Sequence, residues 1–319
     1  MKIFRSLVAA CTAGLALAVG AQTYPTHPVK IMVPFPPGGG TDTITRILTD
    51  PLGRKLGHNF VMDYRPGGNT VIGTNAVVGA PADGYTLLAT LDMSATILPA
   101  VYRKLPFDPH KQLTPVAVLA TVPALLVVNP RLPVNNLKEL IAYDKANRGK
   151  INYGSAVLQG QLFGENLKLA TGVNYTYVPY KGSAEASQAL AGGHIDMLFI
   201  DIATGLNFIR DGRMRAIAIS VPKRHPTLPD VQTVAEAGYP SLEMSVWYGL
   251  FAPAGTPQPI IDKLNASVID VGRDPALQKR LAELGHETST LTPPQIAELI
   301  RKDSANWAKA AAAGNIRFD

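Results

Sequence analysis

Two short stretches hold the residues best suited to chemistry, and the chemistry they suit is binding. The first, Pro36-Pro37-Gly38-Gly39-Gly40-Thr41-Asp42, follows an apolar run and precedes a helical pattern. It lacks the Gly-Lys-Ser/Thr ending of a phosphate loop, and Thr43 breaks the G-x-G-x-x-G spacing, so nucleotide binding is not expected. Small residues let a ligand approach the backbone, and the N–H groups opening the following helix attract an anion. A tight turn without a ligand is the alternative reading. The second stretch, Tyr153-Gly154-Ser155-Ala156-Val157-Leu158-Gln159-Gly160, also runs from a strand end into a helix and offers a hydroxyl, an amide and backbone donors. Two such turns facing each other across a cleft can hold the oxygens of one carboxylate-bearing molecule, a geometry suited to hinge closure.

Catalytic sets are missing. The six His, at 27, 58, 110, 194, 225 and 286, form no H-E-x-x-H pair, and Gly154-Ser155-Ala156 lacks the flanking glycines of a nucleophile elbow. The single Cys, Cys11, rules out a disulfide framework and a Cys-based zinc site. No metal or other cofactor is expected. Five further positions have two readings each. Asp201 either meets an amine or hydroxyl of a ligand or caps the helix after it, and Ser94 either faces a cleft or is a plain N-cap. Lys181 is a ligand cation or a surface or hinge contact, whereas Trp247 and Tyr248 read as core or hinge packing before ligand stacking.

The first residues form a secretory signal peptide over 1–21, with Lys2 and Arg5 at the start, an apolar run from Leu7 to Val19 and small residues before Gln22. The run is too short to span a membrane, which takes about 20 apolar residues. Cleavage after Ala21 removes the only Cys and leaves a mildly positive chain (+6 before cleavage) without a basic run. Nucleic acid is a poor partner for it and small anions are better suited. The expected location is the periplasm.

Something must position the two turns. Short apolar runs at 29–35, 60–64, 85–90, 116–120, 124–128, 151–153, 175–179, 195–200 and 216–220 read as strands, and helical patterns at 137–146, 161–170, 184–191 and 205–210 fall between them. That alternation makes an α/β fold with mainly parallel sheets. From Pro257 onward, three helical patterns (260–271, 275–284 and 293–312) follow without a strand, suggesting a helical layer packed back on an earlier sheet. The length favours two domains, and no linker is visible. Extended segments near Val122-Pro123-Ala124 and Val246-Trp247-Tyr248 are therefore read as crossings, giving a discontinuous domain 1 (22–122 and 250–319) and a domain 2 (123–249).

Several motifs then occur in order along the chain: Val33-Pro34-Phe35-Pro36-Pro37-Gly38-Gly39-Gly40-Thr41-Asp42, Arg65-Pro66-Gly67-Gly68, Pro81-Ala82-Asp83-Gly84-Tyr85-Thr86, Val178-Pro179-Tyr180-Lys181-Gly182, Leu190-Ala191-Gly192-Gly193-His194-Ile195-Asp196 and Trp247-Tyr248-Gly249-Leu250-Phe251-Ala252-Pro253-Ala254-Gly255-Thr256-Pro257. Together they resemble the Bug receptors, the periplasmic substrate-binding proteins of tripartite tricarboxylate transporters. The resemblance implies a two-domain periplasmic-binding-protein fold of the flytrap type (type II), a small carboxylate as ligand and inner-membrane transporter subunits as partners, with the receptor acting as a monomer and not as an enzyme. It implies a grip by the turn carrying Phe35, Gly38, Gly39, Thr41 and Asp42 and by the turn carrying Ser155, Ala156 and Gln159. Ser94 and Asp201 complete the candidate set. The usual Gly-rich second turn is replaced here by Ala156-Val157-Leu158-Gln159, which favours an aromatic or apolar-bodied acid over citrate. A ligand sensor for a membrane kinase, or an exported hydrolase on a related fold, are the other function classes compatible with the same cleft.

Overall fold

Val29–Val33 (β1) is buried at four of its five positions, the pattern of a strand covered on both faces. It pairs in parallel with Phe60–Tyr64 (β2) on one side and Thr86–Leu91 (β3) on the other. The structure, a computed structural model, describes residues 24–155, 158–180 and 182–319. The signal peptide expected at 1–21 and two candidate residues, Ala156 and Lys181, lie outside them.

Parallel neighbours require crossovers, and the first is Gly40–Leu56 (α1). With Thr41, Thr43, Thr45, Thr49, Pro51 and Gly53 inside it, this helix is poor in helix formers. Ile44, Ile47, Leu48 and Leu52 recur on one face and are all buried in the sheet-facing core. At roughly 1.5–3 kcal/mol for each fully buried side chain, packing outweighs propensity here. Val71–Val78 (α2) covers the opposite face, and the short helices Met93–Thr96 (α3), Leu98–Val101 (α4) and Pro109–Gln112 (α5) lead onward from β3.

Leu113–Val128 (β4) is a single strand where the sequence suggested two. The extended crossing expected at Val122-Pro123-Ala124 lies inside it. Register slips follow Pro115, and Pro123 is the last residue to pair with Ser245–Pro253 (β9) before β4 changes partners. From Ala124 onward β4 pairs with Met197–Asp201 (β7) and, on its other side, with Arg215–Ile219 (β8). Asn152–Ser155 (β5) and Thr176–Pro179 (β6) extend that second part in parallel. The strand order is β2-β1-β3-β9-β4-β7-β5-β6, with β8 on β4. Leu137–Ala146 (α6), Leu158–Thr171 (α7), Ser183–Gly192 (α8) and Ile202–Arg210 (α9) are the helices of this part.

After β9 come Gln258–Gly272 (α10), Pro275–Glu283 (α11) and Pro293–Ala313 (α12). α10 packs on α1 and β4, and Asn265 pins it by donating its amide to the carbonyls of Val116 (2.9 Å) and Leu291 (3.0 Å). α12 reaches further. Its Trp307, Ala310 and Ala311 share one buried cluster with Met93 and Ile97 of the first part and Leu162 of α7.

Candidate ligand-binding cleft

Chain leaving β1 turns at Gly38, whose φ of +82° suits glycine, and enters α1 through Gly39. As N-cap, Gly39 is extended and has no side chain to cap the helix, so the first N–H groups of α1 face whatever lies in front. Asp42 serves the turn itself. Its carboxylate accepts from Gly38 N–H (2.8 Å), Arg46 Nε (2.8 Å) and the Tyr64 hydroxyl (2.7 Å). Burial pushes that carboxyl up, but the Gly38 N–H, Tyr64 and Arg46 outweigh burial and hold it below the usual carboxylate range. Thr41 is buried, its carbonyl accepting from the Thr45 hydroxyl (2.6 Å), and Phe35 packs on the first core.

On the other side β5 ends at Ser155, which is 1% exposed and hydrogen-bonded to Tyr177. A Cβ on Gly160 would lie 2.3 Å from Ser155 Oγ, so glycine is what lets α7 start this close to β5. Gln159, in the first turn of α7, sends Nε2 toward Asp92 Oδ1 at 3.4 Å. Asp92 closes β3 and is wholly buried, with Oδ2 lacking a partner. Burial first, and then the charge of Asp303, raise its carboxyl well above the ordinary range. Asp303, on α12, accepts from Trp247 Nε1 (3.1 Å) and is itself pushed up to about 6 by burial.

Between the two turns lies a cleft of about 420 Å³, within the usual range for a small-molecule site. Gly40 and Thr43 of α1 face Gln159 and Gly160 of α7 across it. Val122, Ala124, Val246 and Tyr248, from the paired strands β4 and β9, line it as well. Asp201 joins them from the end of β7, its carboxylate capping α9 through Thr204 N (2.7 Å) and Oγ1 (2.8 Å). Of the residues singled out from sequence, the cleft lining thus takes in Gln159 and Asp201. Gly38, Gly39 and Thr41 flank the lining residue Gly40. Phe35, Asp42 and Ser155 sit behind that surface, as does Ser94, which is wholly buried and bonded to the hydroxyls of Thr70 and Thr90 at 2.7 Å each.

Other lining residues were not legible. His286 comes from the loop after α11, far along the chain, and no motif marked it. Its Nδ1–H donates to the Leu284 carbonyl (2.6 Å), which leaves Nε2 as an acceptor, buried and unpartnered. Burial lowers its pKa, so the ring is neutral at pH 7. It stacks on Tyr248 with ring centres 5.6 Å apart. Tyr248, read from sequence as packing, lines the cleft instead, and its hydroxyl would lie 2.9 Å from a Cβ on Gly40. Burial first, then Asp201 and Asp92, push it up to about 12. Among the described residues no cluster of His, Cys, Asp or Glu could hold a metal ion.

Two parts sharing paired crossing strands, with a cleft between facing helix starts, define a two-lobed binding protein of the flytrap type. A family model described as the tripartite tricarboxylate transporter family receptor matches residues 44–315. BugT of Bordetella pertussis is 37% identical over 304 residues, covering 93% of this chain and 92% of that one. Among solved structures, a protein of R. palustris with adipate is 34% identical, with a TM-score of 0.77, covering 92% of this chain and 99% of that chain. MatC from Rhodopseudomonas palustris with bound malate is 31% identical, with a TM-score of 0.73, covering 90% and 99%. The chain belongs to the tripartite tricarboxylate transporter receptor family. It is a receptor and not an enzyme.

Proposed function

We propose that this chain is a periplasmic receptor that captures a small organic carboxylate between its lobes and delivers it to inner-membrane transporter subunits. The observation that carries this reading is the convergence of the first turns of α1 and α7 on one cleft, α1 with a bare glycine N-cap. Helix starts of this kind favour negative charge. Adipate and malate in two relatives point to the same ligand class. The grip is assigned to backbone donors at Gly39 and Thr41, in a turn that Gly38 shapes by donating its N–H to Asp42, and to the backbone of the turn of Ser155, Ala156 and Gln159, with Asp201 beside the ligand. Phe35, Asp42 and Ser94 hold the walls from behind.

The lobes are 22–122 with 250–319, and 123–249. The change of β4 partners after Pro123 supports this division, and the paired residues Thr121↔Trp247 and Val122↔Val246 would serve as the hinge. Periplasmic location follows from the charged and apolar start of the sequence with cleavage after Ala21. Among the described residues, no helix is long and apolar enough to cross a membrane. The receptor works as a monomer, without metal or nucleotide.

The test is calorimetry and thermal shift of the mature protein against a panel of carboxylates, with and without chelator. A ligand at 100 times its dissociation constant adds about 2.7 kcal/mol of stability, and chelator leaves this unchanged. Small-angle scattering with the ligand bound gives a smaller radius of gyration than without it. Equal radii at saturation count against closure, and a panel without any binder counts against the function.

A further inference from the structure

Resting on that reading, the cleft's own chemistry narrows the ligand class. Its walls are largely apolar, with Ile44, Leu91, Val122, Phe199, Ile200 and Val246 among them. Of the polar side chains that remain, Asp201 and His286 offer acceptors, whereas Gln159 and the hydroxyls of Thr43, Ser183 and Tyr248 are able to donate. Asp201 accepts two bonds from Thr204 and keeps further lone pairs. His286 has spent its N–H on Leu284 and keeps Nε2 as an acceptor. Tyr248 retains its proton at neutral pH. Among the described lining residues no Lys or Arg is present, and Asp201 is the one acidic side chain.

Each helix N-terminus carries roughly half a positive charge. Those of α1 and α7 together match about one carboxylate, and that of α9 is already met by Asp201. A second carboxylate would therefore enter an apolar space facing Asp201 without a described cation to receive it. We infer that the receptor selects a monocarboxylate with an apolar body, its far end uncharged or bearing a hydrogen-bond donor, and that Asp201 is the specificity-determining residue that rejects a second carboxylate.

Matched pairs test this on the mature protein by calorimetry at pH 7.5: hexanoate against adipate and benzoate against terephthalate, with 6-hydroxyhexanoate as the donor-bearing probe and 1-hexanol as the control lacking a carboxylate. The monoacid of at least one pair binds about tenfold or more tighter than its diacid, 6-hydroxyhexanoate binds at least as well as hexanoate, and hexanol shows no binding. Asp201→Asn retains a good N-cap for α9. It narrows the gap between monoacid and diacid by about tenfold. Diacids that bind as tightly as monoacids in the wild type, or a gap unchanged in a folded Asp201→Asn protein, overturn the selectivity and leave the receptor reading standing. Failure of every acid in this set to bind overturns both.

Discussion

Single residues around the two turns separate ligand contacts from supports. Gly39 precedes α1, and an added carboxylate there would occupy the same N–H groups that the ligand needs, with its charge facing the cleft. Gly39→Asp should weaken carboxylate binding by about a hundredfold or more, equivalent to roughly 3 kcal/mol, in a protein whose circular dichroism is unchanged. Its φ of −80° lies in the ordinary range, and a Cβ there meets only the Pro36 carbonyl at 3.6 Å, so the fold tolerates the change. Wild-type affinity in that folded variant would place the anion elsewhere. Ser155 behaves differently because it is buried and tied to Tyr177. Ser155→Ala should cost about 1 kcal/mol in urea unfolding and change ligand affinity by less than about threefold. A large affinity loss with unchanged stability would instead mean that the hydroxyl touches the ligand.

Elements with strong periodicity were legible in the sequence, and places where tertiary pairing decides were not. α6 matches its expected span of 137–146 because Asn136 caps it, accepting from Glu139 N–H, and a clear apolar face follows. β4 was expected as two strands, 116–120 and 124–128, joined by an extended crossing at 122–124, yet bulges and the exchange of partners carry one strand through that crossing. The two strand-to-helix turns could be read from the sequence, whereas His286 could not, since it reaches the cleft only through the loop after α11, and Tyr248, read as packing before ligand stacking, reaches it through β9. That loop offers a test at the scale of elements. Gly285 has φ of +72°, and a Cβ there would lie 2.9–3.0 Å from Ala203 atoms at the start of α9. Gly285→Ala should add backbone strain of about 1 kcal/mol, hold the loop off α9, and weaken ligand binding by about tenfold. Gly57→Ala is the control, with a similar φ of +78° and open space around the Cβ. It should cost similar stability and leave affinity unchanged. Equal affinity losses in both variants would show that strain, rather than the contact with α9, is responsible.

At the scale of the whole molecule, three distant pieces of chain meet under the cleft: Asp92 at the end of β3, Gln159 at the start of α7 and Asp303 on α12. Two buried carboxyls near each other there make stability depend on pH in a direction opposite to that of the paired surface acids. Burial raises Asp303 to about 6, with Trp247 Nε1–H and Lys302 opposing it only in part. The folded protein therefore holds a proton that the unfolded chain releases from about pH 4 upward. Between about pH 4 and 6 the unfolded state binds fewer protons at this site, so stability falls as pH rises through that window and levels off, for this group, above it. A rise of about two units corresponds to at most roughly 3 kcal/mol. Asp92, raised further by burial and then by Asp303, adds to the same slope. Asp42 works the other way, since its lowered pKa contributes stability that is lost below about pH 4. Urea unfolding should thus give greater stability near pH 5 than at pH 7.5. Asp303→Asn, whose side-chain oxygen can still accept from Trp247, should be more stable than wild type at pH 7.5 by about 1–2 kcal/mol and show a flatter profile between pH 5 and 7. A wild-type profile that rises from pH 5 to 7.5, left unaltered by Asp303→Asn, would mean that the junction holds both carboxylates ionised, and that the three pieces of chain meet in a wetter space than the burial of Asp92 indicates.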